Sequence, residues 1–221
     1  MTEGLRKYFS DSSTKTLKKS IIGRAGYSAM PNVSENNCSS ILKECGQVPL
    51  AMRLMCSIMK EENVPLNELL EELKTSTLVE VLDDDRLPHC SRLKSLINTS
   101  FQRLSPKERE AFVSLAVFPG NFEAKEARAV MGLEKAPERT SRKILRALEA
   151  KSLIESSENF CSFTIHSLLR SFIDENKCCD GATKTTFDRA QLRFYGYYIS
   201  SFEDANKMFF TGHSNDAVKS L

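Results

Sequence analysis

Residues Phe163–Phe172 read FTIHSLLRSF. Within this stretch a strand-like alternation of apolar and polar residues gives way to a helix-like spacing. His166 stands at the change and is one of three histidines in the chain. Two roles suit a histidine there: a polar residue that opens a helix, or a working residue that touches a ligand. The surrounding pattern has to decide between them.

Upstream, Phe160–Ile165 predicts a strand with Cys161, Phe163 and Ile165 on one side. Glu158–Asn159 predicts a turn, and Leu153–Ser156 a first strand of the same hairpin. Helical patterns precede it. SRLKSLINTSFQRL places Leu93, Leu96, Ile97, Ser100, Phe101 and Leu104 at three-to-four spacing. In SPKEREAF, Ser105 is a suitable N-cap, Pro106 a suitable first residue, and Glu108 completes a capping box. That helix buries Phe112, Leu115 and Ala116 and stops before Phe118-Pro119-Gly120. A further helix runs from about Glu123 to Met131 and ends at Gly132. Another runs from about Pro137 to Lys151, with Ile144, Leu145 and Leu148 inward. Helices, then a hairpin, then a closing helix form a winged-helix order across residues 92–177.

Further towards the N-terminus, residues 35–78 read as a small helical domain. Ser34 caps a helix bearing Ile41 and Leu42, which ends at Cys45–Gly46. In QVPLAMRLMCSIMK, Pro49 suits the first turn of a second helix, whose broad apolar face holds Leu50, Leu54 and Ile58. A third, near Leu66–Lys74, gathers Leu69, Leu70 and Leu73. Residues 79–91 form an acidic linker containing VEVLDDDRLP. Residues 1–34, rich in Ser, Thr and Lys without an apolar period, read as weakly ordered. After the hairpin domain, CCDGATKTT (178–186) breaks the pattern, and 186–221 form a helical tail. The helix Phe187–Phe210 carries aromatics nearly all round, which implies more than one partner surface. The expected fold is therefore mainly α: a helical domain, a winged-helix domain with a short β-hairpin, and a long C-terminal helix.

Composition narrows the functional classes. Hydrophobic residues at 41% and charged residues at 27% suit a globular chain rather than a disordered one. A net charge of +2 offers no long-range pull toward nucleic acid or a membrane surface. No apolar run approaches the roughly 20 residues that span a bilayer. Seven cysteines, an odd number without a C-x-x-C pair, point to a reducing compartment, and the expected location is cytoplasmic. The vicinal Cys178–Cys179 reads as a helix end rather than a redox or metal feature. No H-E-x-x-H, nucleophile elbow or metal-spaced Cys/His cluster is present, so neither a metal site nor catalysis is expected.

Two landmarks stand in a telling order: CGQVPLAM (Cys45–Met52) and FTIHSLLRSF. Together they resemble the C-terminal half of the NB-ARC module, the nucleotide-binding switch of the STAND NTPases found in plant resistance proteins and apoptotic-protease-activating factors. The first looks like that family's G-x-P motif and the second like its M-H-D motif; SLAVFPGNF also looks like its winged-helix segment. The resemblance covers about Ser34–Lys177. It implies that Pro49 packs against the adenine of ADP and that His166 contacts the β-phosphate. An imidazole N–H at a helix start suits an anion. Ser167 replaces the family's aspartate and Ile165 its methionine. No G-x-x-x-x-G-K-[ST] phosphate loop occurs, and no apolar strand ends in paired aspartates. Hydrolysis is therefore not expected, and ADP contact requires a P-loop domain supplied elsewhere.

The expected function is non-enzymatic: a regulatory or interaction segment of an apoptotic or innate-immune switch. Its protein partners would be a P-loop domain or a helical-repeat region. The competing class is a winged-helix DNA-binding protein, with Arg139, Arg142, Lys143 and Arg146, and Lys151 beyond them, as the basic stripe.

Overall fold

The computed structural model describes residues 48–65, 67–69, 71, 72, 88–157 and 162–210. The chain divides into two units, Met1–Thr99 and Ser100–Leu221. The expected segment 1–34, the helix from Ser34, the acidic stretch of 79–87, the Glu158–Asn159 turn, Cys161 and residues 211–221 lie outside the described residues.

In the first unit, Pro49 starts helix α1 (Pro49–Glu62) behind the extended residue Val48. Proline has no N–H to lose at this position and its fixed φ suits the turn. The helix ends at Asn63, whose φ of 53° is left-handed. Its buried set is broader than one stripe: Leu50, Ala51, Met52, Leu54, Met55, Cys56 and Ile58 are all inside. Residues 67–69 and 71–72 are also helical, and Leu69 is fully buried. Helix α2 (Pro88–Gln102) begins at its proline and runs across the division: Leu96 and Ile97 are buried in the first unit, and Phe101 belongs to the second, against Phe112 and Phe172.

The second unit is organised from Ser105. Its hydroxyl accepts from the Glu108 N–H at 3.4 Å, and the Glu108 carboxylate accepts from the Ser105 N–H at 2.8 Å. This reciprocal cap opens helix α3 (Pro106–Leu115), which buries Phe112, Val113 and Leu115. Strand β1 (Phe122–Glu123) follows, then helices α4 (Ala124–Val130) and α5 (Glu138–Ala150). Strands β2 (Glu155–Ser156) and β3 (Ser162–Thr164) come next, then helices α6 (Ser167–Cys179) and α7 (Gly181–Phe210). The unit is mainly helical with a small antiparallel sheet and a long last helix, the expected class. Gly132, at φ +71°, ends α4 as the sequence implied.

The sheet has the order β1-β3-β2. Its first strand was not foreseen; the expected hairpin accounts for the other two. Register explains its place. Phe122 lies opposite Phe163, and Glu123 opposite Ser162. The Phe122 ring stacks on Phe118 at 4.5 Å and approaches Phe163 at 6.1 Å. Cross-strand aromatic pairs of this kind supply the pairing energy that two residues of backbone lack. Phe118 then meets Phe194 of α7 edge-on at 5.4 Å, which ties the last helix to the sheet. Leu145, Leu148, Leu153, Ile165, Leu169 and Ile173 complete the core around these rings.

The expected break over residues 178–186 is a correction. Helix α6 runs to Cys179, Asp180 alone intervenes, and α7 starts at Gly181. The Asp180 carboxylate accepts from the N–H groups of Ala182 and Thr183, each at 3.1 Å, and from the Thr183 hydroxyl at 2.5 Å. That cap and the burial of Thr183 outweigh the weak helix preference of Gly and Thr. The same hydrogen bonds, first of all that from the Thr183 hydroxyl, hold Asp180 below the usual aspartate range.

Candidate functional site

Strand β3 delivers His166 to the start of α6. Ile165 is buried behind it, while the histidine ring is half-exposed. His166 adopts φ −60° and ψ 139°, and is itself the N-cap. Its Nδ1 accepts from the Leu168 N–H at 3.2 Å. Its carbonyl accepts from Leu169 and Arg170, at 3.0 and 3.1 Å. Ser167, in the place of the family's aspartate, is the first residue of the helix and is exposed.

This geometry selects a tautomer. An Nδ1 that accepts carries no proton, so the neutral ring is protonated at Nε2. The second nitrogen is left as a donor beside a helix N-terminus, where the α6 N–H groups lend positive potential. Arg170, one turn further on, fixes the neighbourhood. Its guanidinium donates to the Pro119 carbonyl at 2.9 Å and to the Ile165 carbonyl at 3.4 Å. The histidine's turn is thus strapped to the loop after α3. Sequence reasoning did not single out Arg170; its place four residues after His166, on the same helix face, was the available signal.

Pro49 is exposed at the first turn of α1, with Leu50 turned inward beside it. Pro49 belongs to the first unit and His166 to the second.

The four basic residues of α5 share one exposed face, as their three-to-four spacing requires. Arg142 pairs with Glu138 at 2.7 Å on that surface. An exposed pair of this kind contributes little stability. Arg139, Lys143 and Arg146 make no ion pair among the described residues. Lys151 does not join them: its Nζ lies 3.2 Å from the Glu108 carboxylate and 3.5 Å from the Arg103 carbonyl, in half-buried surroundings. Burial alone would raise Glu108, but the Ser105 hydrogen bonds and Lys151 outweigh it and hold the carboxyl below its ordinary range.

Cys178 and Cys179 are exposed free thiols at the end of α6, and Cys56 is a buried one. Among the described residues no three His, Cys, Asp or Glu side chains gather as a metal site would require. No described helix is long and apolar enough to cross a membrane. Compared with models of known protein families and with curated proteins, the chain matches none.

Proposed function

We propose that this chain is a non-enzymatic regulatory and interaction segment of an NB-ARC-type switch, acting in apoptotic or innate-immune signalling in the cytoplasm. Its second unit serves as the winged-helix domain. The observation that carries the reading is His166: it caps α6 through Nδ1 and so keeps Nε2–H as a donor at a helix N-terminus. That is the arrangement a histidine needs to hold a diphosphate oxygen when a separate P-loop domain brings ADP. Pro49, exposed at the start of its helix, would meet the adenine, as the resemblance implies. The helix order and the antiparallel sheet agree with a winged helix.

The test is calorimetry of ADP binding with a P-loop domain of the resistance-protein type supplied in trans. His166→Ser keeps a capping oxygen but removes the outward donor. The complex with wild-type chain should bind ADP more tightly than the complex with His166→Ser, by about tenfold for one charge-assisted hydrogen bond. Equal affinities, or no association with the P-loop domain, would refute the reading. A second reading rests on the exposed α5 face: Arg139, Lys143 and Arg146 would contact DNA phosphates. Salt-dependent binding to duplex DNA, lost on replacing these three by alanine, would establish that reading instead.

A further inference from the structure

Helix α7 has one face packed and one face bare. Ala190 and Ala205 are buried, Phe194 rests on Phe118, and the Tyr198 hydroxyl donates to Glu126 at 2.6 Å. The opposite face carries Leu192, Tyr195, Ile199 and Phe202, exposed by 72, 52, 60 and 66%. Phe209 and Phe210 continue it and are exposed as well. Positions 192, 195, 199, 202, 206 and 209 alternate in steps of three and four residues, the seam of a two-helix coiled coil. The exposed apolar side chains amount to roughly 600–800 Å² on each copy, at the 150–250 Å² that a large side chain buries. A standard interface needs about 800 Å² per partner.

We infer that this face pairs with the same face of a second copy of the chain, with the two α7 helices antiparallel. The residues of this face select both the occupant and the direction. A two-fold axis beside Tyr197 sets Leu192 against the partner's Phe202, and Tyr195 against the partner's Ile199. The same register sets Asp188 against the partner's Asn206, whose amide can donate to the carboxylate. It sets Thr185 against the partner's Phe209. On the flank, Arg189 faces the partner's Glu203, and two-fold symmetry makes that ion pair twice. Both side chains are exposed and make no ion pair among the described residues. Gly196 lies near the axis, and a Cβ added there would meet nothing, so the two backbones can approach. A parallel pair would instead bring Asp188 against the partner's Asp188. It would separate Arg189 from the partner's Glu203 by about 21 Å at 1.5 Å per residue.

Sedimentation equilibrium of the full chain at tens of micromolar should show a dimer. Ile199→Glu should weaken the dimer by at least about tenfold, since it places two charges in the apolar seam. Arg189→Glu alone should weaken it by about fivefold, and adding Glu203→Arg should restore affinity to within about twofold of wild type. Circular dichroism confirms that each variant keeps its helices, and the charge-swap series reads the interface even where Ile199→Glu unfolds. A monomeric wild-type chain overturns the proposal; in that case another helix, of this protein or a different one, covers the seam. A dimer indifferent to Ile199→Glu overturns the surface. A dimer sensitive to Arg189→Glu but not rescued by Glu203→Arg overturns the antiparallel direction.

Discussion

Removing the His166 ring isolates its structural role. His166→Ala deletes the acceptor of the Leu168 N–H and leaves the start of α6 without a side-chain cap. Loss of an N-cap costs about 0.5–2 kcal/mol. The bond here is long, 3.2 Å, and exposed, so water can replace part of it. The lower half of the range applies, about 0.5–1 kcal/mol. For a unit of this size that lowers the melting temperature by roughly 2–4 °C. His166→Ser supplies a better cap at the same φ and ψ and should match or exceed the wild type. Ser167→Ala, at the exposed first helical position, should be nearly neutral. Chemical denaturation of the three variants measures the differences directly. The assignment of His166 as the cap is refuted if Ser167→Ala costs more than His166→Ala, or if His166→Ser is as damaging as alanine.

Three more expectations follow from the core and the caps. Phe122→Ala removes a fully buried ring that stacks on Phe118 and pairs across the sheet with Phe163, and should cost about 3–5 kcal/mol by urea denaturation. Gly132→Ala forces a Cβ onto a residue at φ +71° and pushes the mobile end of Arg193 aside; thermal melts should show a loss of about 1 kcal/mol. Glu108 has a folded pKa below its unfolded one, so its stabilisation is present above the ordinary value near 4.5 and disappears as pH falls through the lowered value. Glu108→Gln should therefore be less stable than wild type near pH 7, and the gap should close in acid; a constant gap from pH 7 to pH 3 would show that the carboxylate's charge does not matter.

Signals confined to a few adjacent residues were legible. Ser105-Pro106-Glu108 carries its cap within four positions, and Gly132 announces its left-handed backbone because other residues avoid it. The switch of period before His166 marked the hairpin and the helix after it. What escaped depends on distant partners. Two residues, Phe122–Glu123, cannot show an alternation, and they are a strand only because Phe163 lies across from them. Gly181–Thr186 has poor intrinsic helix preference and is helical because Asp180 caps it and Thr183 is buried. The aromatics of α7 were visibly spread around the helix, yet which of them face inward needed the positions of Phe118 and Glu126.

The two roles weighed for His166 use different atoms and need not compete. Capping consumes the Nδ1 lone pair, and that bond leaves the only proton of the neutral ring on Nε2. A serine in its place would cap at least as well but spend its short side chain on the helix, and an alanine would do neither. A lysine would present a charge but could not accept the Leu168 N–H. Histidine accepts from its own helix on one edge while its other nitrogen, across the ring, donates away from it. If capping were all this position required, His166→Ser would leave every measurable property of the chain intact. Under the proposed function, nucleotide affinity in the reconstituted pair is the property that separates the two demands, because stability would respond to Nδ1 and a phosphate contact to Nε2.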